Sequence, residues 1–393
     1  MSRRLALALV LLLGALTKLP GLAALDDYAR RAYAGLWYSD LINLYNRDFW
    51  AGFVLPYRDA PFEYPVLTGL LHALGGLSGS AARAFWLEYA VLAGCAVITT
   101  WALGKLPGSR PLLFVLSPAL VLYAGLNWDL LAVAPLALAC LAFQRQRPVL
   151  AGALLGVGGA AKLYPLAFLP ALLAAAWASG KRRQAGVLAG AAAGTVLALN
   201  LPVMLLSWEG WWYFYEFSAV RPAHSSLFNL SAELAVRANQ VGVLAVALGW
   251  GTLILLTFRR PGSWLASGAA MLVWWLLWNK VTSPQFSLYL VFVLAALGAP
   301  LPLAILLALV DVAYFVTSFQ SLALSSQQQW EAAAAYSRAF VWPVVWARLG
   351  LLALLVGWVT WNGLVRERSS RPAPLRAGRP VVRPVPSRAS ERP

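Results

Sequence analysis

Residues 38–68 read YSDLINLYNRDFWAGFVLPYRDAPFEYPVLT. The stretch holds Asp40, Asp48, Asp59 and Glu63 with Arg47 and Arg58, set among Trp, Tyr and Phe. No other segment ahead of the C-terminal tail is charged so densely, and long Leu, Ala and Val runs surround it. A loop rich in carboxylates and aromatics, carried between apolar runs, reads as a catalytic loop on a membrane scaffold rather than as a linker.

Composition gives the scaffold. The chain has 393 residues, 61% hydrophobic and 12% charged, with a mean hydropathy of +0.68. Soluble domains carry about 25% charged residues, so half that share together with long apolar runs defines a polytopic, all-α integral membrane protein. The 19 Trp and 14 Tyr suit the aromatic belts at membrane interfaces. Cys95 and Cys140 both fall inside apolar runs, which implies free thiols, and no Cys/His spacing suits a metal. The net charge of +16 does not imply nucleic acid. Eight Arg against Glu367 and Glu391 in 366–393 supply part of it, and most of the rest sits in short loops between apolar runs, as the positive-inside rule requires.

Apolar runs near 5–25, 83–104, 111–125, 128–143, 149–161, 164–179, 185–207, 241–258, 264–278, 286–299, 301–317 and 341–363 predict about 12 spans. With the N-terminus cytoplasmic, basic residues fall on alternate loops: Lys105 and Arg110, Arg145 and Arg147, Lys181 to Arg183, Arg259 and Arg260, then the tail. Only the turn at 299–301 lacks one. The alternation requires that 64–78 not cross, so it is expected to be an amphipathic helix at the outer face. Residues 1–365 then form the transmembrane domain, with extracytoplasmic loops at 26–82 and 208–240 and both termini cytoplasmic. The plasma (inner) membrane is the expected location. The Arg- and Pro-rich segment 366–393 is expected to be disordered.

This topology sends the unusual polar residues to one side. Asp40 and Glu63 come from the first loop, and Asn127-Trp128-Asp129 and Lys162-Leu163-Tyr164-Pro165 from short turns. Arg221, His224, Ser225, Ser226 and Asn229 come from 208–240, and Asn279, Lys280, Thr282, Ser283 and Gln285 from another turn. Ionisable groups at membrane depth are costly and mark function. Carboxylates with Lys, Arg and His suit a carboxylate base acting on an acceptor hydroxyl and cations stabilising a departing phosphate. Aromatics would stack on sugar faces, and grooves between helices would hold a lipid tail. Nothing in the pattern calls for a metal or other cofactor.

The segments SDLINLY, PYRDAPFEYP, AAKLYPLAFLP and SPQFSLYL, in this order over about residues 36–290, resemble glycosyltransferase family 87 of the GT-C superfamily. The chain departs from the usual pattern at Tyr64-Pro65-Val66 and at His224-Ser225-Ser226. The resemblance implies a GT-C fold with juxtamembrane helices in its first outer loop. It further implies a polyprenyl-phosphate-mannose donor, α-(1→2) transfer to a lipid or glycan acceptor, and a catalytic Asp or Glu near the end of the first span, here Asp40.

Each candidate has a structural alternative. Asp40 could serve to start a helix after Ser39. Glu63 could pair with Arg58 or Arg83, with Asp59 placed similarly. Asp129 could favour a helix N-terminus, and Lys162 could snorkel to the interface. His224 and Arg221 could pack in their loop, and Lys280 follows a Trp belt at 274–278. The donor-site set expected beside Asp40 is Glu63, Asp129, Lys162, Tyr164, Arg221, His224, Lys280 and Gln285. His72 reads as structural, and Asp311 shows no sequence partner. A transporter or lipid flippase is the competing class. It predicts an internal repeat and polar groups near the midplane, and neither is evident.

Overall fold

The computed structural model describes residues 2–364, so the tail expected to be disordered lies outside the described residues. The fold is all-helical. Among the described residues there is no strand, only isolated bridges joining Pro56 to Ala60 and His224 to Val281.

Every apolar run read from the sequence is helical. Six stretches are long and apolar enough to cross a membrane: Arg3–Leu22, Ala81–Leu103, Arg182–Leu206, Ala238–Arg259, Leu301–Ser326 and Trp330–Gly363. Val66–Gly76, Asp129–Gln144, Pro148–Ala161, Tyr164–Ala178 and Pro284–Ala296 are apolar but shorter. The run near 111–125 is two helices, Pro111–Val115 and Pro118–Tyr123. Pro118 removes a donor and pushes Ser117 out of the helical region. Ser117 is extended, and its hydroxyl accepts from the Ala119 amide to start the second helix.

Length and burial sort the helices into two shells. The best windows of Arg182–Leu206, Ala238–Arg259 and Leu301–Ser326 are only 22%, 17% and 22% buried, so most of their apolar surface is left for lipid tails. The shorter helices are central. Every residue of Ser287–Ala296 is buried, as are most of Asp129–Gln144 and Trp264–Leu277, and a helix apolar all round belongs inside. Pro148–Ala161 meets Arg182–Leu206 through Gly152 and Gly156. A Cβ at Gly152 would run into the Leu188 carbonyl, and one at Gly156 would sit 2.8 Å from the Ala192 carbonyl oxygen. This four-residue spacing of glycines lets two backbones approach closely.

Three features go beyond what the sequence shows. The 64–78 segment is a helix, Val66–Gly76, and at 11 residues it is too short to span. Its polar side is turned inward. Thr68 and His72 are buried, while Leu70, Leu74 and Leu77 are exposed. The Thr68 hydroxyl donates to the Ala161 carbonyl at the end of a neighbouring helix, so its polar groups face the protein and its leucines face outward.

Asp311 has partners that no local pattern announces. Ser287 Oγ donates to its Oδ1 at 2.5 Å, and Arg348 Nε lies 3.6 Å from the same oxygen. Arg348 is 1% exposed and also donates to the Ser283 and Pro284 carbonyls. The third concerns the turn at 299–301, which lacks its own basic residue. It is met by Arg110, whose Nη1 donates to the Ala299 carbonyl at 3.2 Å.

Candidate active site

The short turns meet at one end of the bundle. Asp129 opens its helix and Lys162 closes the next one, so the carboxylate sits at a helix N-terminus and the ammonium at a C-terminus, each favoured by the dipole it meets. Lys162 Nζ lies 2.8 Å from Asp129 Oδ2, and both are buried. The same Nζ donates to Asn127 Oδ1 at 2.8 Å and stands 5.3 Å from the centre of the Tyr64 ring.

Asn127 carries the network to Asp40. Its Nδ2 donates to Asp40 Oδ2 at 2.5 Å and to the Tyr64 hydroxyl at 2.8 Å. Tyr38 donates to Asp40 Oδ1 at 2.9 Å, and the Asp40 amide donates to the Leu126 carbonyl at 2.7 Å. Ser39 holds the N-cap position of Asp40–Phe49 without a side-chain cap; its hydroxyl instead donates to the Gly125 carbonyl at 2.6 Å. These bonds fix the start of the first-loop helix against the 125–127 turn. Burial raises the Asp40 carboxyl above the ordinary range. The bonds from Asn127 and Tyr38 and the charge of Lys162 pull the other way without cancelling it, while Glu63 adds to the rise.

A cavity of about 550 Å³ opens in front of Asp40. Glu63, Lys162, Tyr164, Arg221, Lys280 and Gln285 share its lining with Asp40, so seven of the nine residues singled out from the sequence converge there. Asp129 stands behind Lys162 and is not part of the wall. His224 is also off the wall. Its backbone bridges the lining turn, with its amide donating to the Lys280 carbonyl and its carbonyl accepting from the Thr282 amide, and it borders a separate 130 Å³ pocket with Ser321 and Trp342. Burial, and then Arg221, lower the His224 pKa.

The walls are set by identifiable contacts. Glu63 pairs with Arg47 at 2.9 Å, rather than with Arg58 or Arg83; Arg47 also holds Asp48, which bonds His72 at 3.1 Å. Glu88 accepts from the Trp128 indole at 2.5 Å. Tyr164 packs among Trp275, Phe286 and Tyr289, and its hydroxyl accepts from Asn279 at 2.6 Å. Arg221 ends the helix Trp208–Val220 and lies 5.7 Å from the Phe217 ring. Lys280 Nζ donates to the Ala219 carbonyl at 2.7 Å. Burial, and then repulsion from Arg221, lower the Lys280 pKa. Gly210 lets the Trp208–Val220 helix lie on the first loop, because a Cβ there would overlap the Tyr57 carbonyl.

Asn127, Tyr38 and Arg47 belong to this site and were not among the singled-out donor-site residues. The signal for Asn127 was its place in Asn-Trp-Asp, a polar break between two apolar runs.

A helical membrane protein with a charged, aromatic-lined cavity at one end of its bundle is the class that fold and site define. Residues 62–300, more than half of the chain, match the model of glycosyltransferase family 87, and the chain belongs to that family. It is a membrane glycosyltransferase. No curated protein matches the chain. The matched region includes every singled-out cavity residue except Asp40, which lies upstream of it.

Proposed function

We propose that this glycosyltransferase moves a mannosyl group from a polyprenyl-phosphate donor to a hydroxyl of a lipid-linked or glycan acceptor, with inversion and with Asp40 as general base. One observation carries the reading. A single cavity presents a hydrogen-bonded carboxylate, Asp40, together with the cationic side chains of Lys162, Arg221 and Lys280, while a fourth, Arg47, is taken up by Glu63 and Asp48. The acceptor oxygen attacks the anomeric carbon on the face opposite the phosphate, and its proton passes to Asp40. The bond from anomeric carbon to phosphate oxygen breaks, and polyprenyl phosphate leaves with the bonding electrons. Lys162, Arg221 and Lys280 stabilise the charge that develops on it. Mannose and the prenyl carrier rest on the resemblance of the sequence motifs.

We place the cavity on the extracytoplasmic side of a chain with about 12 crossings. The turn at 145–147, which joins the far ends of the helices that carry Asp129 and Lys162, is basic and free of Asp and Glu, as cytoplasmic turns are.

The test is transfer from radiolabelled polyprenyl-phosphate-mannose into a lipid extract by purified wild type and by Asp40→Asn. Transfer by wild type alone, with the variant folded, supports donor and base together. Equal transfer by both would move the base to another carboxylate, and no transfer by either would reject the donor.

A further inference from the structure

The helices that carry the site also build a second feature at their other ends. Asp129–Gln144 runs about 24 Å away from the cavity at 1.5 Å per residue, turns at 145–147, and returns as Pro148–Ala161. The next pair, Tyr164–Ala178 and Arg182–Leu206, turns beside it at 179–181. Both turns close in the same way: the Arg147 amide donates to the Ala142 carbonyl and the Lys181 amide to the Ala176 carbonyl, each at 2.9 Å. That six-to-one bond needs a left-handed residue just before its donor, usually glycine. Gly180 fills the place in one turn at φ +76°, but Gln146 fills it in the other at φ +57°.

Gln146 holds a conformation in which a side chain is a cost, and that side chain has a specific contact, since its Oε1 accepts from Lys181 Nζ. Between the two turns lies a cavity of about 180 Å³. Arg147, Lys181, Gln146, Gln184 and Ser179 supply its polar lining, and Trp264 and Phe143, packed edge to face at 4.9 Å, supply apolar lining. Among the described residues neither Arg147 nor Lys181 has an ion pair, and the sequence holds no Asp or Glu between Asp129 and Glu209 or between Glu233 and Asp311. The two helices that start here have no acidic residue in the first turn, so nothing local offsets the charge.

We propose that this cavity binds a phosphate group, and that its source is the headgroup of an anionic phospholipid. Arg147 offers a planar fork of donors and Lys181 a point charge, the two carboxamides complete the hydrogen bonding, and the aromatic floor meets the glycerol backbone. A lipid source fits the surroundings, because Val149, Leu150 and Trp177 next to the cavity are exposed apolar side chains. Basic pockets between spanning helices bind anionic headgroups for this reason.

The test uses the full-length purified protein with phosphatidylglycerol, phosphatidylcholine of the same chains, and inorganic phosphate, read by native mass spectrometry. Wild type should retain phosphatidylglycerol saturably and over phosphatidylcholine. The double variant Arg147→Gln/Lys181→Gln should lose that preference by roughly tenfold or more. Lys105→Gln, a cation at the same end of the bundle but off the cavity, should keep it. Both altered side chains are exposed, and an unchanged thermal midpoint confirms the fold. Displacement by millimolar inorganic phosphate would support the phosphate site with a free source, and retention would support the lipid source. A double variant that binds like wild type, or a Lys105→Gln variant that loses as much, would overturn the proposal.

Discussion

Asn127 stands between Asp40 and Lys162 and bonds both, donating from Nδ2 to the carboxylate at 2.5 Å and accepting at Oδ1 from the ammonium at 2.8 Å. One carboxamide therefore keeps the proposed base and the proposed phosphate ligand apart while orienting both.

Asn127→Ala tests this arrangement. Lys162 stays anchored by Asp129 at 2.8 Å, so the main change is loss of a hydrogen bond to ionised Asp40. Such bonds to charged groups are worth about 1.5–3 kcal/mol, and losing one raises the carboxyl pKa further. The acid limb of the pH–rate profile should move to higher pH, and transfer at neutral pH should fall by roughly 10–100-fold. An unmoved acid limb would show that Asn127 does not tune Asp40.

Asp40 itself should show opposed effects on activity and stability. Its folded-state pKa is raised, chiefly by burial, so the fold favours the protonated form and ionisation costs stability as pH rises through that pKa. Activity needs the ionised form and is lost as pH falls through the same value. Asp40→Asn should therefore cut transfer by roughly 10²–10⁴-fold, with a thermal midpoint at neutral pH no lower than wild type. A large drop in the midpoint would assign Asp40 a structural role.

Much of this was legible in the sequence, because burial and charge placement are properties of composition along the chain. Long apolar runs give the helices, and the basic turns give the two ends of the bundle. Seven of the nine residues singled out line one cavity, since a polar group placed in a turn between apolar helices has nowhere else to point. What stayed hidden depended on pairing across distance. Nothing near Asp311 announces Arg348, 37 positions away, and the Arg47 to Glu63 pair competes with Arg58, which is nearer in the sequence, and with Arg83, which is about as far. Which way the faces of Val66–Gly76 point also stayed hidden, because lipid and water exchange the usual meaning of an exposed leucine.

Lys162 and Asp129 are a buried pair whose structural and chemical roles can be separated. Removing only the cation by Lys162→Met leaves a buried carboxylate alone, which costs about 3–5 kcal/mol. Lys162→Met/Asp129→Leu removes both charges and should recover most of that stability. Transfer should stay low in both variants, because the phosphate ligand is missing in each. Recovery of transfer along with stability in the double variant would show that Lys162 only holds the fold.

Arg348 reaches the cavity indirectly. It donates to the Ser283 and Pro284 carbonyls and to Ser287 Oγ, which anchors the turn that carries Ser283 and Gln285 into the cavity wall. Arg348→Met would leave Asp311 buried without its cation and would free that turn, at a cost of about 3–5 kcal/mol. Arg348→Lys restores the charge but not the fork that reaches several acceptors at once, so it should recover stability only in part. If the turn is a wall of the donor site, Arg348→Lys should also raise the KM for polyprenyl-phosphate-mannose with a smaller change in kcat. An unchanged KM in a variant of lowered thermal midpoint would confine Arg348 to the fold and leave the cavity wall to be held by its other bonds, among them the His224 to Val281 bridge and the bond from Tyr314 to the Thr282 carbonyl.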